Sequence, residues 1–156
     1  MSKLAVGDKI PDLTFESTDP EITSFKDLKG QNIVLYFYPK DNTPGCTLEG
    51  KDFRDLHNAF LKANTQVIGV SRDSLTSHEK FCGKHSLPFT LISDKDEKVC
   101  KAFGVIIEKN MFARLILGIE RTTFLIDTQG VIKQIWPKVK VKGHAQAVLD
   151  AIKAVN

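Results

Sequence analysis

Two continuous apolar runs have the pattern of strands that are buried on both faces of a sheet. The first covers residues 33–38 and the second residues 66–71, and both are rich in β-branched and aliphatic residues. Pro39 ends the first run, because a proline has no N–H to give to a strand ladder. After the turn Thr43-Pro44-Gly45, apolar residues recur at helical spacing as far as Leu61. The pattern therefore predicts a strand, a turn, an amphipathic helix and a second strand.

The rest of the chain alternates predicted helices and strands. A helix capped by Asp73 or Ser74 runs toward Gly83, and the turn Thr128-Gln129-Gly130 joins two strands into a hairpin. The other predicted elements are the strand 87–92, the helix 94–103, the hairpin strands 122–127 and 131–136, and the helix 145–154. Since no repeat or linker interrupts this order, we expect one α/β domain over residues 1–156, with a mixed central sheet flanked by helices.

Charge and composition exclude several classes of function. Lys and Arg number 22 and Asp and Glu number 19, and the net charge of +3 is too small to indicate a nucleic-acid partner. Lys138, Lys140 and Lys142 alternate with valines, which predicts a strand with a solvated lysine face. No window approaches the ~18 consecutive apolar residues of a membrane span, and the N-terminus lacks an apolar signal segment. We therefore expect a cytoplasmic protein with no membrane partner.

The three cysteines, Cys46, Cys82 and Cys100, are too sparse and odd a set for a secreted disulfide framework. Cys46 lies where the turn enters the predicted helix, and the free N–H groups at a helix start favour a thiolate. The alternative is a small buried residue. Stabilising the thiolate gives only a limited gain in rate, because nucleophilicity falls as a thiol becomes more acidic. A reactive Cys46 therefore needs neighbours that orient its reaction partner and stabilise charge.

Two side chains close to Cys46 in the sequence are candidates for that task. Thr43 precedes the cysteine by three residues, and its hydroxyl can donate to a thiolate or accept from a bound reactant. A threonine in a turn can also serve only as a cap. Glu49 follows by one helical turn, where it could hold an arginine over the sulfur or be a solvated charge.

The residues around Cys46 carry a family pattern. Residues 39–46 match P-x-x-x-[TS]-x-x-C, the active-site pattern of peroxiredoxins, and residues 36–47 resemble the peroxiredoxin Q branch, also called bacterioferritin comigratory protein. The resemblance runs from about Leu4 to Ala154 and includes the blocks 91–94, 99–105 and 121–127. It implies a thioredoxin-like fold with N-terminal additions. It also implies a thiol-dependent peroxidase that reduces hydrogen peroxide and organic hydroperoxides without a metal or another cofactor.

By this resemblance Cys46 is the peroxidatic cysteine, Pro39 shields it and Thr43 hydrogen-bonds the peroxide. Arg121, at the start of a predicted strand, matches the active-site arginine of the family. Its chemistry suits that role, because a guanidinium keeps its charge and offers fixed donors to a thiolate and a developing oxyanion. The C-x-x-C motif of thioredoxins is absent from the sequence, which disfavours a disulfide reductase.

The resemblance also suggests which cysteine resolves the sulfenic acid of Cys46. Many family members place that cysteine five residues later, where this chain has Lys51, but Cys82 matches the position used by another subset. We therefore expect an intramolecular Cys46–Cys82 disulfide, a thioredoxin-like reductant and a monomer rather than an obligate oligomer. Because cysteines on two helices start too far apart to bond, a helix end must melt, and Gly83 eases this. The alternative is a one-cysteine peroxidase that uses an external thiol.

Cys100 is expected to be a buried structural residue. A rival hypothesis is a zinc site in which Cys82-x-x-His85 is joined by Cys46, Cys100, His57 or His78, although zinc would quench the nucleophile. The histidines, including His144, are otherwise expected at the surface or at helix ends.

A second rival is a non-enzymatic binding or holdase protein on the same fold. Its support is the apolar segment 111–117, which we expect instead to be a helix or strand packed near the active-site mouth.

Overall fold

A computed structural model describes residues 4–155 of the chain. Residues 1–3 and 156, which belong to the predicted domain and its N-terminal segment, lie outside the described residues. The strands are β1 (Glu16–Ser17), β2 (Asn32–Phe37), β3 (Thr65–Ser71), β4 (Thr90–Ser93), β5 (Ile106–Met111), β6 (Arg114–Ile119), β7 (Thr122–Ile126) and β8 (Ile132–Trp136). The helices are α1 (Pro44–Asp55), α2 (His57–Lys62), α3 (Leu75–His85), α4 (Lys98–Ala102) and α5 (His144–Val155), with a short 3-10 helix at Phe25–Leu28.

Six strands of the described residues form the central sheet, in the order β1-β4-β3-β2-β7-β8. β2 pairs parallel with β3 and antiparallel with β7, so the sheet is mixed, as predicted. β5 and β6 pair only with each other, as an antiparallel hairpin. The carboxyl ends of β2 and β3 lie side by side, and the loop that leads to α1 begins at that edge.

The central strand β2 is buried along its whole length. On one face Leu35 and Phe37 pack in a cluster that includes Phe124. On the other face Val34 and Tyr36 pack in a second cluster that includes side chains of α1, α2, α3 and α5. Helices that cover both faces leave no solvated side for the strand, which explains its continuous apolar sequence and confirms the predicted fold class.

The helix boundaries agree with the predictions in part. Ser74 caps α3 by accepting from the N–H of Ser77 at 3.1 Å, as predicted, and α3 continues past Gly83 to His85. The helix predicted after Thr43 is two helices, α1 and α2, that meet at Leu56. The helix predicted over 94–103 is only α4, because the Asp94 carboxylate accepts from the N–H groups of residues 99 and 100 and so caps the helix from outside.

The strand predicted around the three lysines is wrong. Residues 137–143 form no regular strand. Pro137 follows β8 and cannot extend its ladder, and Lys138 adopts a left-handed φ of 48°. The segment instead turns back, and the N–H of Val139 donates to the carbonyl of Arg121 at 2.9 Å. It therefore supports the backbone at the start of β7.

The apolar segment 111–117 lies in the β5–β6 hairpin, so the expected strand is present but its expected packing is wrong. Phe112 at the turn is 93% exposed, and Leu115 and Leu117 on β6 are also exposed. The base of the hairpin packs in the core through Ile119, and Arg72 Nη1 also donates to the carbonyl of Leu117 at 3.3 Å. No helix among residues 4–155 is long and apolar enough to cross a lipid bilayer.

Candidate active site

Cys46 is the third residue of α1 and is only 2% exposed. β2 ends at Phe37, and the loop that follows delivers the chain to α1 at the carboxyl edge of the sheet. Pro44 at the first helical position has the φ that a helix start requires and lacks an N–H that would otherwise be unpaired. The sequence therefore places the sulfur in the first turn of a helix, as predicted, where backbone N–H groups and the helix dipole favour an anion.

Arg121, which lies 75 residues after Cys46 in the sequence, contacts this sulfur. Its Nη2 donates to Cys46 Sγ at 3.3 Å, and its Nη1 donates to Glu49 Oε1 at 2.6 Å. Gly45 leaves room for the guanidinium, because a Cβ at that position would lie 3.2 Å from Arg121 Nη2. One side chain thus bonds both the candidate nucleophile and a buried carboxylate.

Glu49 holds the arginine rather than being a solvated charge, which decides between the two sequence hypotheses. Its side chain is 1% exposed, and its Oε2 has no hydrogen-bond partner in residues 4–155. Burial raises the pKa of Glu49 to about 7, against the opposing charge and hydrogen bond of Arg121. Burial alone would lower the pKa of Arg121, but Glu49 and Cys46 raise it above its ordinary value. The guanidinium is therefore permanently charged beside the sulfur.

Thr43 and Pro39 both precede Cys46 on the loop between β2 and α1. The Thr43 hydroxyl donates to the carbonyl of Lys40 at 2.8 Å, so its hydrogen is not directed at the thiol as one sequence hypothesis supposed. The lone pairs of that oxygen can still accept a hydrogen bond from a bound reactant. Pro39 is half-buried at the start of the same loop.

The Tyr36 hydroxyl is a feature of this region that sequence reasoning missed. Tyr36 stacks on Phe53 with ring centres 4.8 Å apart, and its hydroxyl is buried without a hydrogen-bond partner among the described residues. Burial raises the pKa of Tyr36 far above its usual value, and the nearby Glu49, Cys82 and Cys46 raise it further. Both cysteines are therefore neighbours of this hydroxyl. The alternation of Tyr36 and Tyr38 in a buried strand was the only signal in the sequence.

The three cysteines differ in their surroundings, and all three are free thiols in this structure. Cys82 lies near the middle of α3, half-buried against the apolar cluster that contains Cys46. Burial, followed by the charges of Asp41 and Glu79, raises the pKa of Cys82 to about 11. Cys100 is fully buried, and burial together with Asp94 raises the pKa of its thiol strongly. Cys100 thus has the environment of a structural residue.

The sequence analysis expected the histidines at the surface or at helix ends. His144 does begin α5, but it and His78 are both buried. His78 is completely buried, and His144, although at the start of α5, is 7% exposed. His144 Nε2 and Thr123 Oγ1 lie 2.8 Å apart, and burial, with Arg121 nearby, lowers the pKa of His144 to about 4. Amphipathic spacing could not reveal this burial, because it depends on polar partners that are distant in the sequence.

The zinc hypothesis has no geometric support. Within residues 4–155, one group of three potential metal ligands converges to within 4.8 Å, and it consists of Asp41, Asp73 and His78. Cys82 and His85 do not belong to it. The oxygens of Asp41 are already occupied by hydrogen bonds from side chains of the protein itself.

The fold and the site together define a cysteine-based enzyme on a thioredoxin-like sheet. The AhpC/TSA family model matches residues 6–135, and the chain belongs to that family. A putative peroxiredoxin Bcp of Coxiella burnetii is 51% identical over 149 residues, which cover 96% of this chain and 99% of that protein. A cysteine mutant of Xylella fastidiosa peroxiredoxin Q superimposes with a TM-score of 0.93 at 44% identity, covering 99% of this chain and 98% of that one.

These relatives place the chain in the peroxiredoxin Q, or Bcp, branch, and its activity is that of a thiol-dependent peroxidase. The resemblance on the residues around Cys46 is confirmed, and the hypothesis of a non-enzymatic binding protein is not supported. A structure of the Xanthomonas campestris bacterioferritin comigratory protein, from work on the alkyl peroxide reduction activity of that protein, is similar with a TM-score of 0.87 at 50% identity. It covers 91% of this chain and 90% of that one.

Proposed function

We propose that Cys46 is the nucleophile that attacks the peroxide and that Cys82 resolves the product. In the first step the Cys46 thiolate attacks one peroxide oxygen and the O–O bond breaks. Cys46 becomes a sulfenic acid, and the other oxygen leaves as water or an alcohol after taking up a proton. In the second step Cys82–SH and Cys46–SOH form a disulfide and release water. A thioredoxin-like dithiol then reduces the disulfide and is itself oxidised.

The observation that carries this proposal is the contact between Arg121 Nη2 and Cys46 Sγ at 3.3 Å. A donor at that place supports the thiolate and then faces the oxygen on which negative charge grows as the O–O bond lengthens. Glu49 fixes the other end of the guanidinium, so the donor does not have to be ordered during the reaction. Thr43 accepts from the hydroxyl of the peroxide, and Pro39 limits access of water to the sulfur.

We propose that α3 opens for resolution by Cys82. The two cysteines lie on different helices, and a disulfide needs Cα atoms within about 7 Å and side chains directed at each other. The attacking sulfur must also be a thiolate, and burial raises the pKa of Cys82 to about 11 in the closed form. Opening of α3 brings the sulfur closer and exposes it to water, which removes the cause of the raised pKa. Gly83 lies next to Cys82 in α3, and a Cβ built at that position would have no atom within 4 Å, so no neighbouring side chain packs there.

We further propose that hydrogen peroxide and organic hydroperoxides are both substrates, and that the enzyme acts as a cytoplasmic monomer. The support for alkyl hydroperoxides is the activity studied in the Xanthomonas campestris relative. The support for a monomer is the resemblance to the branch. Light scattering of the reduced protein would test it, and a stable dimer at micromolar concentration would contradict it.

The roles of the cysteines can be tested with thioredoxin, thioredoxin reductase and NADPH, by following peroxide-dependent NADPH oxidation. We expect Cys46→Ser to abolish turnover, and Cys82→Ser to consume one equivalent of peroxide and then stop with a sulfenic acid on Cys46. Cys100→Ser is the matched control and should turn over like the wild type. Sustained turnover by Cys82→Ser would instead establish the one-cysteine mechanism, and activity in Cys46→Ser would refute the assignment of the nucleophile.

A further inference from the structure

A buried polar network connects the loop that carries Cys46 with the helix that carries Cys82. At its centre is Asp41, five residues before Cys46 and only 4% exposed. Its Oδ2 lies 2.7 Å from His78 Nδ1 and accepts from Ser77 Oγ at 2.8 Å, and both of these partners are on α3. Its Oδ1 accepts from Tyr38 Oη at 2.6 Å. The loop is thus bonded to α3 through one carboxylate.

The ring of His78 is held on both sides by acceptors. Nδ1 faces the Asp41 carboxylate, and Nε2 lies 2.8 Å from the carbonyl of Ile92 on β4. Both ring nitrogens therefore lie within hydrogen-bond distance of an oxygen, one on the Cys46 loop and one on β4. Burial raises the pKa of Asp41, but hydrogen bonds from His78, Tyr38 and Ser77 outweigh it and bring the pKa below its usual value. The ring and the carboxylate are therefore joined by a hydrogen bond that is buried on both sides, with side-chain exposures of 0% and 1%.

The backbone of the loop is fixed to the same network. The N–H of Asp41 donates to Asp73 Oδ2 at 2.9 Å, and that oxygen also accepts from Ser71 Oγ at 2.5 Å. Asp73 precedes α3 and Ser71 ends β3. The loop, the end of β3 and the first turns of α3 are consequently joined into one unit by buried and partly buried contacts.

This unit bears directly on both sulfurs. His78 lies one helical turn before Cys82, on the same face of α3, and the charge of Asp41 is one cause of the raised pKa of Cys82. Separating α3 from the loop would leave the Asp41 carboxylate and the His78 Nδ1 without their partner in an apolar region unless both reach water. Any opening of α3 that includes its middle turn therefore has to break this pair.

We propose that Asp41 and His78 are positioning residues that hold α3 closed while Cys46 meets peroxide, and that breaking their contact is part of the barrier to the Cys46–Cys82 disulfide. This inference rests on the proposed function, because it concerns the step in which Cys82 resolves the sulfenic acid. The chemistry of that step is unchanged: Cys46–SOH and Cys82–SH give the disulfide and water. The pair thus sets how long the sulfenic acid persists and how readily a second peroxide converts it to a sulfinic acid.

The test measures sulfenic acid formation and disulfide formation separately, by rapid acid quench and mass spectrometry after one equivalent of hydrogen peroxide. His78→Gln removes the ring that bonds Asp41, and Lys80→Gln is the control at an exposed position of the same helix. We expect His78→Gln to form the disulfide at least about tenfold faster, because a buried carboxylate that loses a hydrogen-bond partner destabilises the closed arrangement. Formation of the sulfenic acid should change much less than formation of the disulfide. With excess peroxide, the sulfinic acid fraction of His78→Gln should be lower than that of the wild type.

A second variant guards against loss of the fold. Ser77→Ala removes one hydrogen bond from Asp41 and leaves the Asp41–His78 contact, so a smaller acceleration in the same direction is expected, with faster amide hydrogen exchange in α3. Disulfide formation at the wild-type rate, or slower, in folded His78→Gln and Ser77→Ala would overturn the inference. Absence of a Cys46–Cys82 disulfide in the wild type and in Lys80→Gln would instead reject the proposed function, and this inference with it.

Discussion

Glu49 carries a carboxylate that is costly to keep ionised in the folded protein. It is 1% exposed, one of its oxygens bonds Arg121, and the other has no partner in the described part of the chain. Burial raises its pKa from 4.5 to about 7. The substitution Glu49→Gln keeps the size of the side chain and an oxygen for Arg121, but it removes the titration. It therefore isolates the effect of this one charge on stability.

The magnitude follows from the two pKa values. Between pH 4.5 and pH 7 the folded protein binds the Glu49 proton more tightly than the unfolded chain, so the contribution of this group to stability is lost as the pH rises. At about 1.4 kcal/mol for each pKa unit, the loss is about 3 kcal/mol. The free energy of unfolding of the wild type, relative to that of Glu49→Gln, should fall by this amount across the interval. Other titrating groups, His144 among them, are common to both proteins and cancel in the difference.

The assay is urea unfolding of the reduced proteins from pH 4.5 to pH 7, followed by the fluorescence of Trp136, which is the only tryptophan in the chain. Glu21→Gln, at an exposed position, is the control and should run parallel to the wild type. Parallel curves for wild type and Glu49→Gln would refute the reasoning. A wild type that gains stability over Glu49→Gln as the pH rises would show that Arg121 stabilises the anion by more than burial costs.

Three other predictions concern residues around the site. The pKa of His144 is lowered from 6.5 to about 4, so the contribution of this residue to stability is present above pH 6.5 and is lost toward pH 4. His144→Gln should therefore unfold at lower pH than the wild type in an acid titration followed by circular dichroism. Gly69→Ala would place a Cβ 2.7 Å from Leu91 Cδ2 and 2.9 Å from Tyr36 Cζ, which should destabilise the fold by about 1–3 kcal/mol. Calorimetry should show a lower melting temperature, and an unchanged melting temperature would contradict the packing. Arg121→Lys keeps the charge but cannot serve sulfur and carboxylate with a planar fork, so stopped-flow kinetics should show at least about a tenfold slower reaction with peroxide, and a wild-type rate would be evidence against the fork.

The parts of the fold that the sequence predicts well are those set by local pattern. The run 33–38 identifies β2 because helices cover both faces of that strand. The turn before Cys46 predicts the start of α1, since Pro44 fits only the first turn of a helix. The lysine strand fails because Pro137 stops the ladder, and the alternation of lysine and valine gives no information on a pairing partner.

The site needed more than local pattern. Arg121 is 75 residues from Cys46, and without the family resemblance a strand-start arginine predicts only a surface charge. The sequence left the role of Glu49 open because helical spacing does not say whether an arginine will reach it. His78 was expected at the surface or at a helix end, and its burial gave no signal because its partner is an aspartate 37 residues away. Long-range polar contacts of this kind have no periodic signal.

The most direct test of the whole account is to identify the first sulfur that peroxide oxidises. Reduced Cys82→Ser protein would be mixed with substoichiometric hydrogen peroxide, quenched within milliseconds and mapped by mass spectrometry. The account predicts that the sulfenic acid forms on Cys46 alone, and that its rate drops when Arg121 is replaced by lysine. Oxidation that appears first on Cys100, or equally on both remaining cysteines, would contradict it.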